Sequence, residues 1–281
     1  MKICKTIDDM RATSRAARHA GKRLGLVPTM GALHEGHLSL VRAAKAKCDA
    51  VAASIFVNPL QFGPTEDLAK YPRTFDRDVQ LLEKESVDIL FAPSPDEMYP
   101  SGAVTYVTVE GLSEKLCGKS RPGHFRGVTT VVAKLFHIVE PDLAFFGQKD
   151  GAQVAIIRRM VRDLNLPVEI AVCPIVREPD GLAMSSRNAY LSPQERKCAT
   201  VLNRSLTEVK QRFDQGERNP ARLIEAAKKV LAQEPTVRLD YFEIVDPSTL
   251  DCLPNLTGTA LVAVAAFAGG TRLIDNIVLQ P

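Results

Sequence analysis

The sequence has no long apolar run free of charged residues, so it lacks the pattern of a transmembrane helix. The basic stretch at residues 1–23 contains no apolar segment of signal-peptide length. Asp8 and Asp9 interrupt this stretch, and transit segments are poor in acidic residues, so a transit role is disfavoured. We therefore expect a cytoplasmic protein with no membrane partner.

Cysteine spacing and charge distribution disfavour two further classes. The six cysteines stand at positions 4, 48, 117, 173, 198 and 252, and none lies within metal-ligand spacing of another. Scattered single cysteines fit a reducing compartment, where they serve mostly as small buried apolar groups. The net charge is only +3, and Lys and Arg are dispersed among acidic residues. A nucleic-acid partner is therefore not expected.

Short apolar runs alternate with helical patterns as far as residue 176. Strands are predicted at Leu24–Pro28, Val51–Val57, Val87–Ala92, Val104–Val109, Leu143–Phe146 and Val168–Val172. Helices are predicted at His34–Lys47, Asp76–Glu85, Val128–Val139 and Gln153–Asp163. This alternation is typical of βαβ units and a mostly parallel sheet. The fold class expected is α/β, with a Rossmann-like N-terminal domain at residues 1–176.

The pattern changes beyond residue 176. Two long helices are predicted, followed by three strands, an order that indicates an α+β arrangement. These elements are Pro193–Gln215, Pro220–Gln233, Leu239–Val245, Ala260–Phe267 and Leu273–Val278. We interpret Arg177–Asn188 as a boundary loop. A smaller α+β domain, expected to act as a lid, would then occupy residues 177–281.

The densest chemical signal is Val-Pro-Thr-Met-Gly-Ala-Leu-His-Glu-Gly-His, residues 27–37. His34 and His37 are three residues apart where a predicted helix opens, so they share a face. Helix N-termini have unpaired N–H groups and a positive dipole end, which suit phosphate. A surface or core role for either histidine stays open. Zinc binding is disfavoured, because the metalloprotease pattern needs two histidines four residues apart.

A second signal is Gly-Leu-Ala-Met-Ser-Ser-Arg-Asn, residues 181–188. These residue types favour a polar turn, but they also supply two hydroxyls and a guanidinium that suit a triphosphate. The two segments resemble the His-x-Gly-His and Lys-Met-Ser-Lys-Ser signatures of the adenylyl- and cytidylyltransferase superfamily, which includes class I aminoacyl-tRNA synthetases. Arg187 stands near the place of a lysine in that signature.

Five blocks in order narrow the resemblance to one family. They are residues 28–37, 56–62 (Phe-Val-Asn-Pro-Leu-Gln-Phe), 121–128 (Arg-Pro-Gly-His-Phe-Arg-Gly-Val), 146–150 (Phe-Gly-Gln-Lys-Asp) and 185–188 (Ser-Ser-Arg-Asn). Together they resemble the pantothenate synthetases. The resemblance implies that pantoate attacks ATP, supplied with Mg²⁺, to give pantoyl adenylate and pyrophosphate. The β-alanine amine then displaces AMP to give pantothenate. The family also suggests a homodimer made through the N-terminal domain.

The resemblance assigns roles to individual residues. The catalytic residues would be His34, His37, Lys149 and Arg187. Pantoate and β-alanine would contact Met30, Asn58, Gln61 and Gln153. ATP would contact Pro28, Thr29, Met30, Gly31, His34, His37, Gly147, Lys149, Asp150, Val176, Met184, Ser185, Ser186 and Arg187.

Simpler interpretations stand beside these assignments. Taken alone, Lys149 and Asp150 would be a solvated salt bridge, and each glutamine a surface residue. No metal ligand is assigned, and Asp76 and Asp78 are interpreted as a solvated helix face. The sequence departs from the family where an aromatic residue and two glutamines commonly follow Lys-Asp, because Gly-Ala-Gln stands at residues 151–153.

Four rival functions remain open. A related nucleotidyltransferase would transfer a nucleotide to a phosphorylated acceptor and would need no amine. A truncated aminoacyl-tRNA synthetase would need a basic tRNA surface, which is not evident. A nucleotide sensor would not need His34, His37, Lys149 and Arg187 together. A nucleic-acid module would show binding that falls steeply with salt.

Overall fold

The computed structural model describes residues 1–64 and 66–280. Contacts within the chain define two units. Unit 1 comprises Met1–Ser113, Arg121–Gly147 and Ile156–Cys173. Unit 2 comprises Glu114–Ser120, Gln148–Ala155 and Pro174–Pro281. Two short pieces from the first 155 residues therefore belong to unit 2.

The first sheet has six strands: β1 (Lys2–Cys4), β2 (Leu24–Thr29), β3 (Ala50–Ile55), β4 (Ile89–Phe91), β5 (Leu143–Gly147) and β6 (Glu169–Cys173). Their order is β1-β4-β3-β2-β5-β6, and all pairings among the described residues are parallel. The central strands are apolar along most of their length, as expected of strands covered on both faces. The predicted parallel α/β sheet is confirmed.

Helices connect these strands. They are α1 (Ile7–His19), α2 (Glu35–Lys45), α3 (Phe75–Lys84), α4 (Pro95–Met98), α5 (Cys117–Ser120), α6 (His124–Val139) and α7 (Gly151–Asp163). In α2, Leu38, Val41 and Ala44 recur at helical spacing and are buried. The strand and helix bounds mostly lie within a few residues of the predicted ones. In the described part of the chain, no helix combines the length and apolar character needed to span a membrane.

Unit 2 contains α8 (Pro193–Ala199), α9 (Val201–Asp214) and α10 (Pro220–Leu231), followed by β7 (Val237–Val245), β8 (Ala260–Ala268) and β9 (Thr271–Leu279). The three strands form an antiparallel sheet in the order β7-β8-β9. Its central strand β8 is buried along nearly its whole length and packs in one apolar core with α9 and α10. The predicted α+β arrangement is confirmed.

Two predictions about secondary structure were wrong. Residues 104–109 are not a strand, because side chains of α6 bind the backbone where a neighbouring strand would. The Val107 N–H donates to Thr130 Oγ1 (3.0 Å), and the Val107 carbonyl accepts from Thr129 Oγ1 (2.6 Å). The predicted helix Pro193–Gln215 is two helices that meet at Thr200. The Thr200 hydroxyl donates to a backbone carbonyl of α8 (2.8 Å), a bond that competes with helix continuation.

Candidate active site

His34 and His37 lie together where α2 begins, on the segment that follows β2. His34 is the N-cap residue and His37 is in the first turn, with the ring centroids 4.1 Å apart. The chain enters the helix through Gly31 and Ala32, whose φ angles are 80° and 50°. Such a turn suits glycine but strains alanine, so the surrounding contacts must hold it. The two imidazoles therefore meet at the opening of the helix, as the sequence predicts.

Hydrogen bonds to the backbone determine which ring nitrogen of each histidine carries the proton. Nδ1 of His34 accepts from the Gly36 N–H (3.1 Å), and Nδ1 of His37 accepts from the His34 N–H (3.4 Å). A nitrogen that accepts a hydrogen bond has no proton, so each ring carries its proton on Nε2. Both imidazoles are consequently Nε2–H donors, which is the form that binds a phosphate oxygen.

Asp78 braces the turn that precedes α2. Its side chain is buried and accepts hydrogen bonds from the backbone N–H groups of Ala32 (2.8 Å) and Leu33 (2.9 Å). The Thr74 hydroxyl donates to the same carboxylate (3.1 Å). The interpretation of Asp78 as part of a solvated helix face was therefore wrong, although Asp76 is exposed. Asp78 faces inward because the strained turn needs acceptors there.

The burial of Asp78 could have been predicted from the sequence. Asp78 is four residues before Leu82 on a helix, so the two share one face, and Leu82 is buried. A carboxylate on the apolar face of a helix needs donors, since a buried charge is costly unless it is hydrogen-bonded. The sequence alone could not identify the donors, which belong to a segment 45 and 46 residues away.

Gln61 ends a short 3₁₀ turn, Pro59–Gln61, soon after β3. Its Nε2 donates to Met30 Sδ (3.0 Å), so two residues assigned to pantoate are in contact. Nδ2 of Asn58 donates to Gln61 Oε1 (3.1 Å). Asn58 itself is only 1% exposed. The structure therefore brings these three residues together and places Asn58 as a support for Gln61.

Lys149 and Asp150 lie in a second 3₁₀ turn, Gln148–Asp150, between β5 and α7. Lys149 Nζ is 3.8 Å from a carboxylate oxygen of Asp150. The Lys149 carbonyl accepts a hydrogen bond from Asn276 Nδ2 (2.8 Å), which fixes the backbone of the turn. Gln153 follows in the first turn of α7 and is half-buried.

The segment Gly181–Asn188 is held by hydrogen bonds within unit 2. The Met184 N–H donates to the Val176 carbonyl (3.0 Å), which brings two residues assigned to ATP together. Ser185 Oγ accepts from the Arg187 N–H (3.2 Å) and so caps a short 3₁₀ helix. This backbone arrangement carries the two hydroxyls and the guanidinium that the sequence indicates.

A buried ion pair at the base of this segment escaped the sequence analysis. The Arg177 guanidinium donates to both carboxylate oxygens of Asp275 (2.6 and 3.0 Å), and the Asp275 side chain is 3% exposed. Arg177 also donates to the Gly181 carbonyl (3.1 Å). The partners are 98 residues apart, so no local pattern links them.

The assigned residues fall into two groups, one in each unit. Pro28, Thr29, Met30, Gly31, His34, His37, Asn58, Gln61 and Gly147 belong to unit 1; Lys149, Asp150, Gln153, Val176, Met184, Ser185, Ser186 and Arg187 belong to unit 2. Within unit 1, the segments carrying His34 and Gln61 follow β2 and β3, which are neighbours in the sheet order. Ligands of open α/β sheets bind beyond the carboxyl ends of the strands.

A cavity of about 230 Å³ lies beside the turn before α2, within unit 1. Two assigned residues, Met30 and Gly31, contribute to its wall. The rest of the wall is Ile55, Phe56, Val57, Pro72, Arg73, Thr74, Phe75, Asp78, Pro93 and Pro95. Over the described ranges, no group of three or more His, Cys, Asp or Glu side chains is arranged to hold a metal ion.

A parallel sheet, with a tight Gly-Ala turn leading into a histidine-bearing helix, defines an α/β protein with its candidate site at the carboxyl ends of the strands. The model of the pantoate-beta-alanine ligase family matches residues 2–278. Pantothenate synthetases from Koribacter versatilis and Acidobacterium capsulatum are each 59% identical, covering 100% and 99% of this chain and 96% and 97% of their own. The chain therefore belongs to the pantoate–β-alanine ligase family, and it is an enzyme.

Solved structures agree with this membership. Pantothenate synthetase from Thermus thermophilus superimposes with a TM-score of 0.95 at 47% identity, with both chains fully covered. Pantoate-beta-alanine ligase from Francisella tularensis, complexed with beta-gamma ATP and beta-alanine, gives a TM-score of 0.81 at 34% identity, covering 99% of this chain and 97% of that one. The predicted family is confirmed.

Proposed function

We propose that the enzyme condenses (R)-pantoate with β-alanine, using ATP and releasing AMP and pyrophosphate, through a pantoyl adenylate. The observation that carries this proposal is the pair of Nε2–H donors of His34 and His37 at the N-terminus of α2. Family membership and the ATP- and β-alanine-bound relative support the choice of substrates.

In the first step, a pantoate carboxylate oxygen attacks the α-phosphorus of ATP and pyrophosphate leaves. Negative charge grows on the departing phosphates, and His34 and His37 would stabilise it by donating from Nε2. Lys149 would place a cation near the α-phosphate. We assign the triphosphate also to Ser185 and Arg187. The remaining nucleotide contacts are assigned to Pro28, Thr29, Met30, Gly31, Gly147, Asp150, Val176, Met184 and Ser186.

In the second step, the β-alanine amine attacks the acyl carbon and AMP leaves. Adenylation is needed because a free carboxylate is a poor acyl donor. Gln61, Gln153 and Met30 would hold pantoate, and Asn58 would contribute through its hydrogen bond to Gln61. An amide binds the substrate's oxygens without adding a competing negative charge. Alignment of the reactants can remove about 7–11 kcal/mol of barrier in favourable cases.

Magnesium would enter as the ATP complex, which needs few protein ligands. The chemistry it supplies is charge neutralisation on the phosphates. Asp78 does not fit as a ligand, because its side chain is fully buried and its carboxylate already accepts three hydrogen bonds that hold the turn.

We also propose a cytoplasmic homodimer that forms through unit 1. Val104 and Tyr106 are 81% and 46% exposed, and they lie in a segment that belongs to no strand among the described residues. Exposed apolar side chains favour association with a second copy of the chain. Light scattering coupled to size exclusion tests this proposal: wild-type protein should run as a dimer, and Val104→Glu should shift it toward monomer.

The reaction is tested by exchange of labelled pyrophosphate into ATP, with and without pantoate and before β-alanine is added. Exchange that requires pantoate would support adenylation. We expect His34→Ala and Lys149→Ala to retain the fold and to lower exchange by roughly 100-fold or more. His137→Ala is the matched control, since His137 is an exposed histidine on α6. Absence of exchange at saturating pantoate would instead favour the rival nucleotidyltransferase, to be sought with phosphorylated acceptors.

A further inference from the structure

The backbone carbonyl of Gln61 is held by two side chains at the start of α6. His124 Nδ1 lies 2.8 Å from this oxygen, and Arg121 Nη2 donates to it at 3.3 Å. Arg121 and His124 also contact each other, with Nη1 and Nε2 3.1 Å apart. Both residues belong to the block at residues 121–128, to which the family resemblance gave no chemical step.

These contacts determine the protonation of His124. A guanidinium only donates, so Nε2 of His124 must accept from Arg121. The ring proton is then on Nδ1, where it is donated to the Gln61 carbonyl, which only accepts. His124 is therefore a neutral Nδ1–H tautomer, opposite to the tautomer of His34 and His37.

Arg121 is held in turn by Glu66. Nε and Nη2 of Arg121 donate to the two carboxylate oxygens of Glu66 (2.7 and 2.6 Å), a bidentate geometry. Both side chains are largely buried, with 17% and 23% exposed. Burial raises the pKa of Glu66, but the hydrogen bonds and charge of Arg121 outweigh that effect, so the pKa lies below its usual value. The carboxylate therefore stays charged and keeps Arg121 in place.

The side-chain amide of Gln61 is oriented by Asn58. Nδ2 of Asn58 donates to the Gly127 carbonyl (3.0 Å), while its Oδ1 accepts from the Tyr99 hydroxyl (2.8 Å). Since a carbonyl cannot donate, these contacts fix which end of the Asn58 amide is nitrogen. Nδ2 therefore faces Oε1 of Gln61, and the Gln61 NH₂ group points to the side of Met30.

The turn also packs against α6 without an intervening side chain. A Cβ at Gly127 would lie 2.2 Å from the Leu60 carbonyl oxygen, so only glycine allows this approach. Gln61 is thus fixed at its backbone by Arg121 and His124 and at its amide by Asn58.

We propose that Arg121 and His124 are positioning residues for pantoate recognition: they fix the backbone of Gln61, while Asn58 orients its amide so that N–H donors face the substrate's oxygens. The inference rests on the proposed function, in which Gln61 contacts pantoate. A donor suits an anionic substrate, whereas a flipped amide would present a carbonyl oxygen and repel it. Orientation before binding removes part of the ordering cost of association.

Variants at His124 test the backbone contact. We expect His124→Ala to raise the pantoate KM in the exchange reaction by roughly three- to tenfold, the value of one lost hydrogen bond, and to leave the ATP KM unchanged. His124→Asn should recover most of this loss, because its NH₂ group takes the place of Nδ1–H. His137→Ala on the same helix is the control. An unchanged pantoate KM in His124→Ala would overturn the proposal.

A double-mutant cycle separates positioning from a general structural effect. In a Gln61→Ala background, His124→Ala should raise the pantoate KM no further, because the side chain it positions is absent. If the same fold-change persisted, His124 would act independently of Gln61 and the proposal would be wrong. A wild-type enzyme that shows no pantoate-dependent exchange is a different result, and it would refute the proposed function itself.

The imidazole tautomers give a test that needs no variant and no activity. Long-range ¹⁵N–¹H spectra of the wild-type protein distinguish Nδ1–H from Nε2–H rings. We expect His124 to be neutral with Nδ1 protonated, and His34 and His37 to show the opposite tautomer as internal references. A neutral His124 protonated on Nε2 would overturn the proposal, whatever the kinetic result, because its Nδ1 could not donate to the Gln61 carbonyl.

Discussion

Replacing Asp78 with asparagine tests how the histidine-bearing turn is held. The carboxylate accepts from two buried backbone N–H groups, those of Ala32 and Leu33. The asparagine side chain would have the same shape, but its NH₂ group would face one of these donors. One charge-assisted hydrogen bond would be lost and one buried N–H left without an acceptor. The cost is about 2 to 3 kcal/mol.

Thermal unfolding measures this loss. For a unit of this size, we expect the Tm of Asp78→Asn to fall by roughly 4 to 12 °C. Asp76→Asn is the matched control, because Asp76 is exposed on the same helix and its substitution should change stability by less than about 0.5 kcal/mol. Pyrophosphate exchange should also fall in Asp78→Asn, since His34 directly follows the braced turn.

The two readouts together decide the reasoning. If Asp78→Asn melted within the range of Asp76→Asn, the carboxylate would not be bracing the turn. If stability fell but exchange at saturating substrates did not, the turn could lose a hydrogen bond to residue 78 without any displacement of His34. Either result would remove Asp78 from the list of residues that shape the site.

Three further changes test other contacts. Gly127→Ala should lower the Tm and raise the pantoate KM together, because its Cβ would lie 2.2 Å from a backbone oxygen; unchanged values would show that the turn can shift. Asp275→Asn should cost about 3 kcal/mol in urea unfolding, because the Arg177 guanidinium loses its buried counter-charge; a loss below about 1 kcal/mol would contradict this. The Tm of Glu66→Gln should lie below that of the wild type near neutral pH, and this difference should shrink as the pH falls below 4.5. The pKa of Glu66 is depressed, so its stabilisation by Arg121 is complete above pH 4.5 and is lost as Glu66 is protonated. A Tm difference that did not change with pH would contradict this.

Elements with a clear hydrophobic period were predictable from the sequence. The strand at Leu24–Thr29 and the helix at Glu35–Lys45 match their apolar patterns closely. The helix Ile7–His19 was missed because its apolar face is narrow, with only Met10 and Ser14 buried along it. The segment 104–109 has the residue types of a strand, but its hydrogen bonds are made by threonines of α6, which no local pattern reveals.

The residues of the candidate site also divide into those that were predictable from the sequence and those that were not. His34 and His37 were predictable together because their geometry is set within one turn of one helix. Contacts between distant segments were not predictable. Gln61 and His124 are 63 residues apart, and their contact depends on how α6 packs against the turn after β3. A sequence indicates which side chains are capable of a reaction, whereas packing decides which of their atoms can take part.

The histidines show this distinction and lead to a prediction that separates stability from activity. Nδ1 of His34 accepts from the Gly36 N–H, so Nε2–H is the donor proposed for phosphate. His34→Asn should keep the helix cap, because its Oδ1 takes the place of Nδ1, but it should lose exchange activity. His34→Gln should lose the cap, at a cost of about 1 kcal/mol, yet retain more exchange, because its NH₂ group reaches toward the position of Nε2. At His124 the order of exchange activity should be reversed: His124→Asn should be more active than His124→Gln. Measuring Tm and exchange for all four variants tests both tautomer assignments, and the same order of activity at both positions would refute them.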